Sequence, residues 1–366
     1  MNLVEQIGQL FMLGFDGTTV SPDWADLQAQ YKPGGMILFA RNLEHPAQII
    51  ELTNGLQARS PHFPLLIAID QEGGRVSRLP NGFTIFPPCG VIGACSSEEL
   101  AYAAASITAA ELRAVGINMN MAPVLDVHSN PANPIIGDRA YGGDPKIVSE
   151  LGLAAVRGLQ GKGVVACGKH FPGHGDTSTD SHKELPVVRA SVDTLLEREL
   201  PPFHYAIANG LASLMTAHVL YPALDAQRPA TLSPTILTGL LREQWGFDGV
   251  IVTDDLEMHA ISDHHGVGDA AVQAFLAGAD LLLICKDRGR AIAAMEAVHK
   301  AVESGTIPPS RLEASVRRII RLKQTFLHSH LPADPSMAQL VVGCRTHQVL
   351  LDTIRRTHER ISKSPA

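Results

Sequence analysis

Cysteine is scarce in this sequence, and its spacing limits the possible folds and metal sites. There are five cysteines in 366 residues, an odd number, and none of them forms a CxxC pair. This argues against a disulfide framework and against zinc held by cysteine pairs. Cys167 and Cys285 instead lie in apolar, strand-like runs. The pattern favours buried free thiols in a reducing compartment.

Segments that would direct the chain to a membrane are also missing. No apolar run approaches the length of a membrane span. The first fifteen residues contain Glu5 and no basic stretch, which is unlike a signal peptide. The formal net charge of −7 offers no basic excess for nucleic acid or an anionic membrane. We therefore expect a cytoplasmic globular protein with neither kind of partner.

The sequence does contain an alternation of short apolar runs with longer helical segments. The runs are mostly continuous, as expected of strands covered on both faces. The predicted strands are 10–15, 35–40, 65–70, 117–127, 164–170, 213–219, 250–255 and 279–285. Examples of the predicted helices are 46–59, 97–115, 145–162, 191–209 and 288–304.

This βα alternation predicts a parallel α/β fold, and a count of eight strands favours a closed (β/α)8 TIM barrel. A doubly wound sheet is the alternative, but the glycine-rich turn that would bind a dinucleotide is absent. The pattern changes after the segment LPADP at 331–335, and 336–362 resembles a polar, basic helical tail. We expect a single barrel domain over residues 1–332 and a C-terminal helical extension over 333–366.

Polar and ionisable side chains concentrate where the predicted strands end. A barrel places its active site at the carboxyl ends of its strands, so these side chains are candidate functional residues. The strand-end residues are Asp70, Asp126, Lys169, His170, His218, Asp254 and Asp255. Four charged groups in these regions suit a hydroxyl-rich ligand, although each alone is more often part of a surface salt bridge. They are Asp70, Arg78, Arg139 and Lys169.

The loop at 171–186 has the strongest local pattern. It places Asp180 two residues before His182 among glycine, serine and threonine. A carboxylate at that spacing can hold one tautomer of the imidazole and stabilise its protonated form, as a general acid requires at neutral pH. A solvated loop of polar turn residues explains the same composition equally well.

Asp254 ends an apolar strand, where a carboxylate can attack a carbon electrophile and form a covalent intermediate. The alternative is a cap for the following helix, a role that fits Asp255 better because it lies nearer the helix start.

A metal site is a weaker interpretation of the histidines. His174, Asp176 and His182 share one loop, and His264 and His265 lie further along the chain. Their spacing does not match HExxH, and no cysteine pair supports zinc. We expect neither a metal nor a cofactor.

At these residues the chain resembles glycoside hydrolase family 3, and within it the bacterial β-N-acetylglucosaminidases of the NagZ type. The resemblance runs from about residue 3 to about residue 330, and KHFPGHG followed by DSH is its most specific part. The matching segments, in the order of the family, are GGMILFARN (34–42), AIDQEGGRVSRLP (68–80), NMNMAPVLDV (118–127), GDRAYGGDP (137–145), KHFPGHGDTSTDSHKELP (169–186), LMTAHVLYPALD (214–225) and VTDDLEM (252–258).

The resemblance implies a (β/α)8 barrel and a retaining double displacement. Asp254 matches the nucleophile, His182 the acid/base on a mobile loop, and Asp180 its partner. The residues matching those that hold the terminal sugar are Asp70, Arg78, Arg139, Lys169 and His170. The implied substrate is a small carbohydrate, a peptidoglycan fragment with N-acetylglucosamine β-1,4-linked to anhydro-N-acetylmuramic acid, with or without peptide. The implied process is cell-wall recycling by a monomer or weak homo-oligomer.

The sequence departs from the family pattern near the nucleophile. Thr253 stands where relatives often have serine, and Glu257-Met258-His259 replaces the usual Ser-Met-Glu. Three other functions stay open from the sequence: transfer of the sugar to phosphate, a β-glucosidase or β-xylosidase of the same family, and a sugar-binding barrel without catalysis.

Overall fold

Eight parallel strands form a closed barrel, β1 to β8, in sequence order, and β8 pairs with β1. The computed structural model describes residues 1–179, 181, 184–327 and 331–363. The predicted barrel is confirmed, and all eight predicted strands are present. Their bounds are Phe11–Leu13, Gly35–Leu38, Leu66–Ile69, Met119–Asn120, Val165–Phe171, Ser213–Thr216, Val250–Asp255 and Leu281–Ile284.

Helices surround the barrel. Among the described residues the α-helices, α1 to α14, are Leu3–Gln9, Pro22–Tyr31, Pro46–Ala58, Cys89–Ala94, Glu98–Ala114, Pro145–Gly161, Val192–Thr194, Pro201–Ala208, His259–Ser262, Val267–Ala277, Arg288–Glu303, Pro309–Leu327, Pro335–Val341 and Arg345–Lys363. Short 3-10 helices lie at Ala40–Asn42, Gly137–Arg139 and Ala230–Leu232, and π-helical segments at Leu195–Glu199 and Thr235–Gln244. No described helix is both long and apolar enough to cross a membrane.

Local sequence signals account for where two of these helices begin. Ser97 caps α5 by accepting a hydrogen bond from the backbone N–H of Leu100. Asp144 caps α6 in the same way by accepting from Lys146, and Pro145 is the first residue of that helix. Both starts agree with the sequence prediction.

The fourth strand is much shorter than predicted. Regular pairing ends at Asn120, and Pro123 follows, which cannot donate a backbone hydrogen bond to a ladder. Side-chain amides replace part of the ladder: Asn120 exchanges two hydrogen bonds with the backbone of Gln71, and Asn118 bonds the backbone of β3. The segment after Asn120 therefore leaves the sheet while staying attached to it.

The tail predicted as helical over 336–362 consists of two helices, α13 and α14. The break includes Gly343, which has a φ of +61° and lies so close to Gly82 that a Cβ there would be 2.1 Å from its carbonyl oxygen. Leu351 and Ile354 of α14 are buried against α4 and α5, and His347 lies 2.7 Å from the buried carboxylate of Glu111 in α5. The tail thus packs on the helices around the barrel, and a domain boundary at 332 stays a prediction.

Lys323 in α12 is an unusual core residue and leads to a prediction about stability. It is buried, its Nζ donates to Oε1 of Gln9 at 2.6 Å, and burial lowers its pKa to about 7. The cost of burying the charge is fully present below pH 7 and is relieved as pH rises toward the unfolded value of 10.5. Lys323→Met should therefore raise the free energy of unfolding by about 3 kcal/mol at pH 6 and much less at pH 10.

Denaturant unfolding at the two pH values measures this effect. Lys300→Met, at an exposed position of α11, is the matched control and should change little at either pH. An increase in the free energy of unfolding of Lys323→Met that is the same at both pH values would contradict the cost assigned to the buried charge.

Candidate active site

A cavity of about 230 Å³ opens at the carboxyl ends of the strands. The predicted nucleophile and the five predicted sugar-binding residues line it, and they come from four different parts of the chain. They are Asp70, Arg78, Arg139, Lys169, His170 and Asp254. Barrel closure thus brings together side chains that lie after β3, after β4, in β5 and in β7.

Four charged groups in this cavity form a continuous ion-pair network. Lys169 Nζ lies 2.6 Å from Asp70 Oδ1 and 2.7 Å from Glu72 Oε1. Arg139 donates to both oxygens of Glu72, each at 2.8 Å, in a bidentate pair. Burial alone would raise the pKa of Glu72, but Lys169 and Arg139 hold that pKa far below its usual range.

The same network keeps its cations charged. Burial would lower the pKa of Lys169, but Asp70 and Glu72 outweigh it and raise the pKa. Asp70 keeps an exposed fraction of 17% in its side chain, against 3% for Lys169. Asp70 is therefore held in place by Lys169 while still facing the cavity.

Arg78 contributes a hydrogen-bond donor to the cavity. Its buried Nε has no hydrogen-bond partner in the described part of the chain. Its backbone N–H is fixed by Oε1 of Gln71 at 2.9 Å. Because buried donors are normally paired, the open Nε of Arg78 suits an oxygen atom of a ligand.

Asp126 organises the two histidines on this side of the cavity. It is fully buried, and its Oδ2 lies 2.7 Å from Nδ1 of His170. Its Oδ1 accepts hydrogen bonds from the backbone N–H groups of His170 and His174. Burial would raise the pKa of Asp126, but His170 and these hydrogen bonds lower it. The carboxylate therefore fixes the orientation of the His170 ring.

Asp254 and Asp255 both line the cavity at the end of β7. The backbone N–H of Asp255 donates to Oδ1 of Asp254 at 2.8 Å. Burial, with Glu257 and Asp254 nearby, raises the pKa of Asp255 to about 7. The alternative role of Asp255 as a helix cap is not observed, because the next helix has Met258 at its N-cap position. The Asp255 carboxylate instead accepts from the backbone N–H groups of Glu257 and Cys285.

The departures from the family pattern have structural explanations. Thr253 keeps a hydroxyl that accepts a hydrogen bond from the backbone N–H of Leu283 in β8. The Glu257 carboxylate accepts from the backbone N–H groups of Lys286 and Asp287 and so connects the loops after β7 and β8. The added charge therefore faces the start of α11, whose N-cap residue is Asp287. The His259 ring, also a departure, lies 2.9 Å from Asp263 on the surface.

The loop at 171–186 is anchored at several described points. The Tyr221 hydroxyl donates to the carbonyl of Gly173, and Asn133 donates to the carbonyl of His174. Asp176 forms an ion pair with Arg198 at 2.7 Å. Asp180 and His182, the predicted acid/base pair, lie outside the described residues, and their role stays a prediction.

The described residues considered for a metal site are His174, Asp176, His264 and His265, whereas His182 lies outside the described part of the chain. Within the residues that the structure describes, no group of three or more histidine, cysteine or acidic side chains could hold a metal ion. The ring of His174 contacts Thr177 and Ser181, and His265 lies 3.4 Å from Asp269.

Sequence reasoning missed Glu72 as a site residue. It occurs in QEGGRVSR directly after Asp70, so the motif contained a signal, but its partners lie far away in the sequence. Asp126 was recognised only as a polar strand end, and the cavity-lining Met258 and Ser181 were not identified.

A barrel with carboxylates and cations around a cavity at its carboxyl ends is the architecture of an enzyme for a polar substrate. Residues 2–322 match the family described as glycosyl hydrolase family 3 N terminal domain. The chain belongs to this family, and it is a glycoside hydrolase.

Relatives of this chain are β-hexosaminidases. It is 42% identical over 345 residues to Beta-hexosaminidase of Thiobacillus denitrificans, covering 93% of this chain and 91% of that one. It is 39% identical over 359 residues to Beta-hexosaminidase A of Pseudoalteromonas piscicida, covering 91% of this chain but spanning only 60% of that protein. A family 3 β-N-acetylglucosaminidase from Paenibacillus sp. str. FPU-7 has a similar structure, with a TM-score of 0.95, 47% identity and coverage of 98% and 69% respectively.

Proposed function

We propose that this glycoside hydrolase is a retaining exo-β-N-acetylglucosaminidase. The observation that carries the proposal is the convergence of Asp254 with five predicted sugar-binding residues on one cavity, in a chain about 40% identical to β-hexosaminidases. A pocket closed by the barrel on its inner side suits a terminal sugar rather than the middle of a polymer. The product is free N-acetylglucosamine.

Asp254 is the nucleophile in this mechanism. Its carboxylate attacks the anomeric carbon and forms a glycosyl-enzyme, which water then hydrolyses with net retention. The hydrogen bond from the Asp255 backbone to Oδ1 restricts the rotation of the Asp254 carboxylate. The raised pKa of Asp255 supports this role, because a second full negative charge beside the nucleophile develops only above about pH 7.

His182 is the acid/base residue, assisted by Asp180. It protonates the leaving oxygen in the first step and accepts a proton from water in the second. The support is the sequence motif, since both residues lie outside the part of the chain that the structure describes. Their neighbour Ser181 lines the cavity, which is consistent with a donor supplied from this loop.

The ion-pair network holds the hydroxyl groups of the terminal sugar. Asp70 accepts from hydroxyls, whereas Arg78, Arg139 and Lys169 donate to them. His170, oriented by Asp126, adds a further polar contact. Apolar side chains from other strands, among them Met215 of β6, complete the cavity and suit the apolar face of a pyranose.

The natural substrate we propose is a peptidoglycan fragment with N-acetylglucosamine on anhydro-N-acetylmuramic acid, acted on in the cytoplasm. All five cysteines are free thiols, which supports a reducing compartment. The protein then takes part in cell-wall recycling.

Release of p-nitrophenol tests the proposal directly. The β-N-acetylglucosaminide and the β-glucoside are compared at equal concentration, in phosphate-free buffer that contains a chelator. We expect fast release from the N-acetylglucosaminide alone, and NMR should show that the β-anomer of the sugar forms first. Initial formation of the α-anomer would refute retention.

Phosphate addition separates hydrolysis from transfer to phosphate. If turnover of the N-acetylglucosaminide requires phosphate and yields a sugar phosphate, the protein is a phosphorylase and the proposed hydrolase is wrong. Faster release from the β-glucoside would refute the specificity for the acetamido sugar.

A further inference from the structure

His174 is a buried cavity residue that the mechanism above does not use. Its exposed fraction is 2%, and its ring packs edge-on against His170 with the ring centres 5.7 Å apart. Burial, reinforced by the proximity of His170, lowers the pKa of His174 to about 4. The imidazole is therefore neutral at physiological pH and cannot serve as a cationic ligand for substrate.

The hydrogen bonds of His174 indicate which nitrogen carries its proton. Nδ1 lies 2.9 Å from the hydroxyl oxygen of Thr177, and that hydroxyl donates to the carbonyl of His174. With its proton used there, Thr177 accepts from Nδ1–H. Nε2 is then an acceptor, and the Ser181 hydroxyl 3.1 Å away donates to it.

Ser181 is held on both its side chain and its backbone. Its exposed fraction is 3%, and it lines the cavity. Besides the contact with His174, its carbonyl oxygen accepts from the backbone N–H of Ala260 at 3.4 Å. Ala260 belongs to the helix that follows β7, the strand ending in Asp254. Ser181 thus contacts both His174, whose backbone is held by Asp126, and the helix that follows the strand ending in Asp254.

We propose that His174 and Ser181 are positioning residues for the acid/base pair. Ser181 is the residue between Asp180 and His182 in the chain, so its two anchors act one peptide bond away from each of them. The inference rests on the proposed function. A displacement of about 1 Å in a catalytic group can cost about 100-fold in rate, so loss of this anchor is expected to be visible in kinetics.

Leaving-group dependence distinguishes positioning of the acid from a general structural effect. Ser181→Ala should lower kcat/KM about 10–100-fold for an alkyl β-N-acetylglucosaminide, whose leaving oxygen needs a proton. For the 2,4-dinitrophenyl glycoside, which leaves without protonation, the loss in kcat/KM should be at least about tenfold smaller. Ser178→Ala, an exposed serine of the same loop, is the matched control.

Azide gives a second, independent measurement on the same variant. With the activated substrate, a misplaced base slows hydrolysis of the glycosyl-enzyme and lowers kcat. Azide attacks that intermediate without a base: its terminal nitrogen bonds to the anomeric carbon, the bond to Asp254 breaks, and the carboxylate leaves. The azide should raise kcat of Ser181→Ala and yield the β-glycosyl azide, with little effect on Ser178→Ala.

A double-mutant cycle tests whether His174 acts through Ser181. If it does, kcat/KM of the double variant His174→Ala/Ser181→Ala for the alkyl glycoside should be no lower than that of the worse single variant. Losses that multiply would overturn the linkage. Should His174→Ala fail to fold, the leaving-group ratio and azide response of Ser181→Ala decide the inference.

The outcomes separate this inference from the proposed function. If Ser181→Ala loses kcat/KM equally on both substrates and does not respond to azide, the positioning role is wrong. The proposed glycosidase function would be unaffected by that result. A wild-type protein that releases nothing from either glycoside would refute the proposed function and this inference with it.

Discussion

Asp254→Ala is expected to abolish turnover, with kcat/KM falling by on the order of 10⁴–10⁶-fold, as when one member of a catalytic unit is removed. The reason is that the proposed reaction passes through a bond between this carboxylate and the anomeric carbon. Folding should be retained, because Asp254 is only partly buried at the rim of the cavity.

Azide can identify what kind of residue has been lost. In Asp254→Ala, azide fits into the space of the carboxylate and attacks the anomeric carbon from the same face. The expected product is the α-glycosyl azide, the opposite anomer from the one expected of an acid/base defect. Analysis of the product by NMR, with an activated aryl N-acetylglucosaminide as substrate, makes this measurement.

Asp138→Ala is the matched control for the nucleophile variant. Asp138 has a side-chain exposure of 54% and pairs with Arg75 at 3.3 Å outside the proposed chemistry. It should keep kcat/KM within about threefold of the wild type, since exposed ion pairs contribute little. Residual activity of Asp254→Ala within tenfold of wild type would rule out Asp254 as nucleophile.

Glu72→Gln is expected to destabilise the protein and impair substrate binding together. The glutamine keeps the shape of Glu72 but removes the buried charge shared by Lys169 and Arg139. Breaking a buried ion pair by removing one partner costs about 3–5 kcal/mol, because the remaining charges are no longer compensated. We expect the free energy of unfolding to fall by that amount in denaturant titrations at pH 7.

The loss in stability should depend on pH in a defined direction. The pKa of Glu72 is lower in the folded state than its unfolded value of 4.5. Its stabilising contribution is therefore fully present above pH 4.5 and is lost as pH falls toward the folded pKa. The difference between wild type and Glu72→Gln should narrow below pH 4.5.

Glu150→Gln provides the surface control for this experiment. Glu150 is 40% exposed and lies 3.9 Å from Lys146, so its replacement should change stability by less than about 0.5 kcal/mol. Two results would contradict the stabilising role of the ion-pair network. One is a loss in the free energy of unfolding for Glu72→Gln no larger than that for Glu150→Gln. The other is a loss for Glu72→Gln that stays the same down to pH 3.

The activity of Glu72→Gln should fall because Glu72 holds Lys169 and Arg139 in place. Lys169 would keep its ion pair with Asp70, but Arg139 would lose its bidentate pairing with a carboxylate. The side chains of Lys169 and Arg139 can therefore shift. We expect kcat/KM for the aryl N-acetylglucosaminide to fall about 100-fold. Unchanged kcat/KM in the folded variant would mean that Arg139 and Lys169 do not need Glu72 to be placed.

The sequence by itself determined the barrel and most of the charged residues that line the cavity. Continuous apolar runs specify strands buried on both faces. A polar residue at the end of such a run lies at the carboxyl end of the barrel, independently of the conformation of the loops. For that reason Asp70, Lys169, His170 and Asp254 could be predicted as neighbours from local patterns alone. The motif GDRAYGGDP added Arg139 through its resemblance to the family rather than through periodicity.

Only the tertiary structure decided which groups these residues contact. Glu72 and Arg139 are 67 residues apart in the chain, and no local pattern reports that barrel closure brings them to 2.8 Å. The close approach of Gly343 to Gly82 likewise lies at the break between the two helices of the tail, which the sequence predicts only as helical. Propensity and periodicity act over a few turns, whereas ion pairs and close backbone contacts depend on the packing of segments distant in sequence.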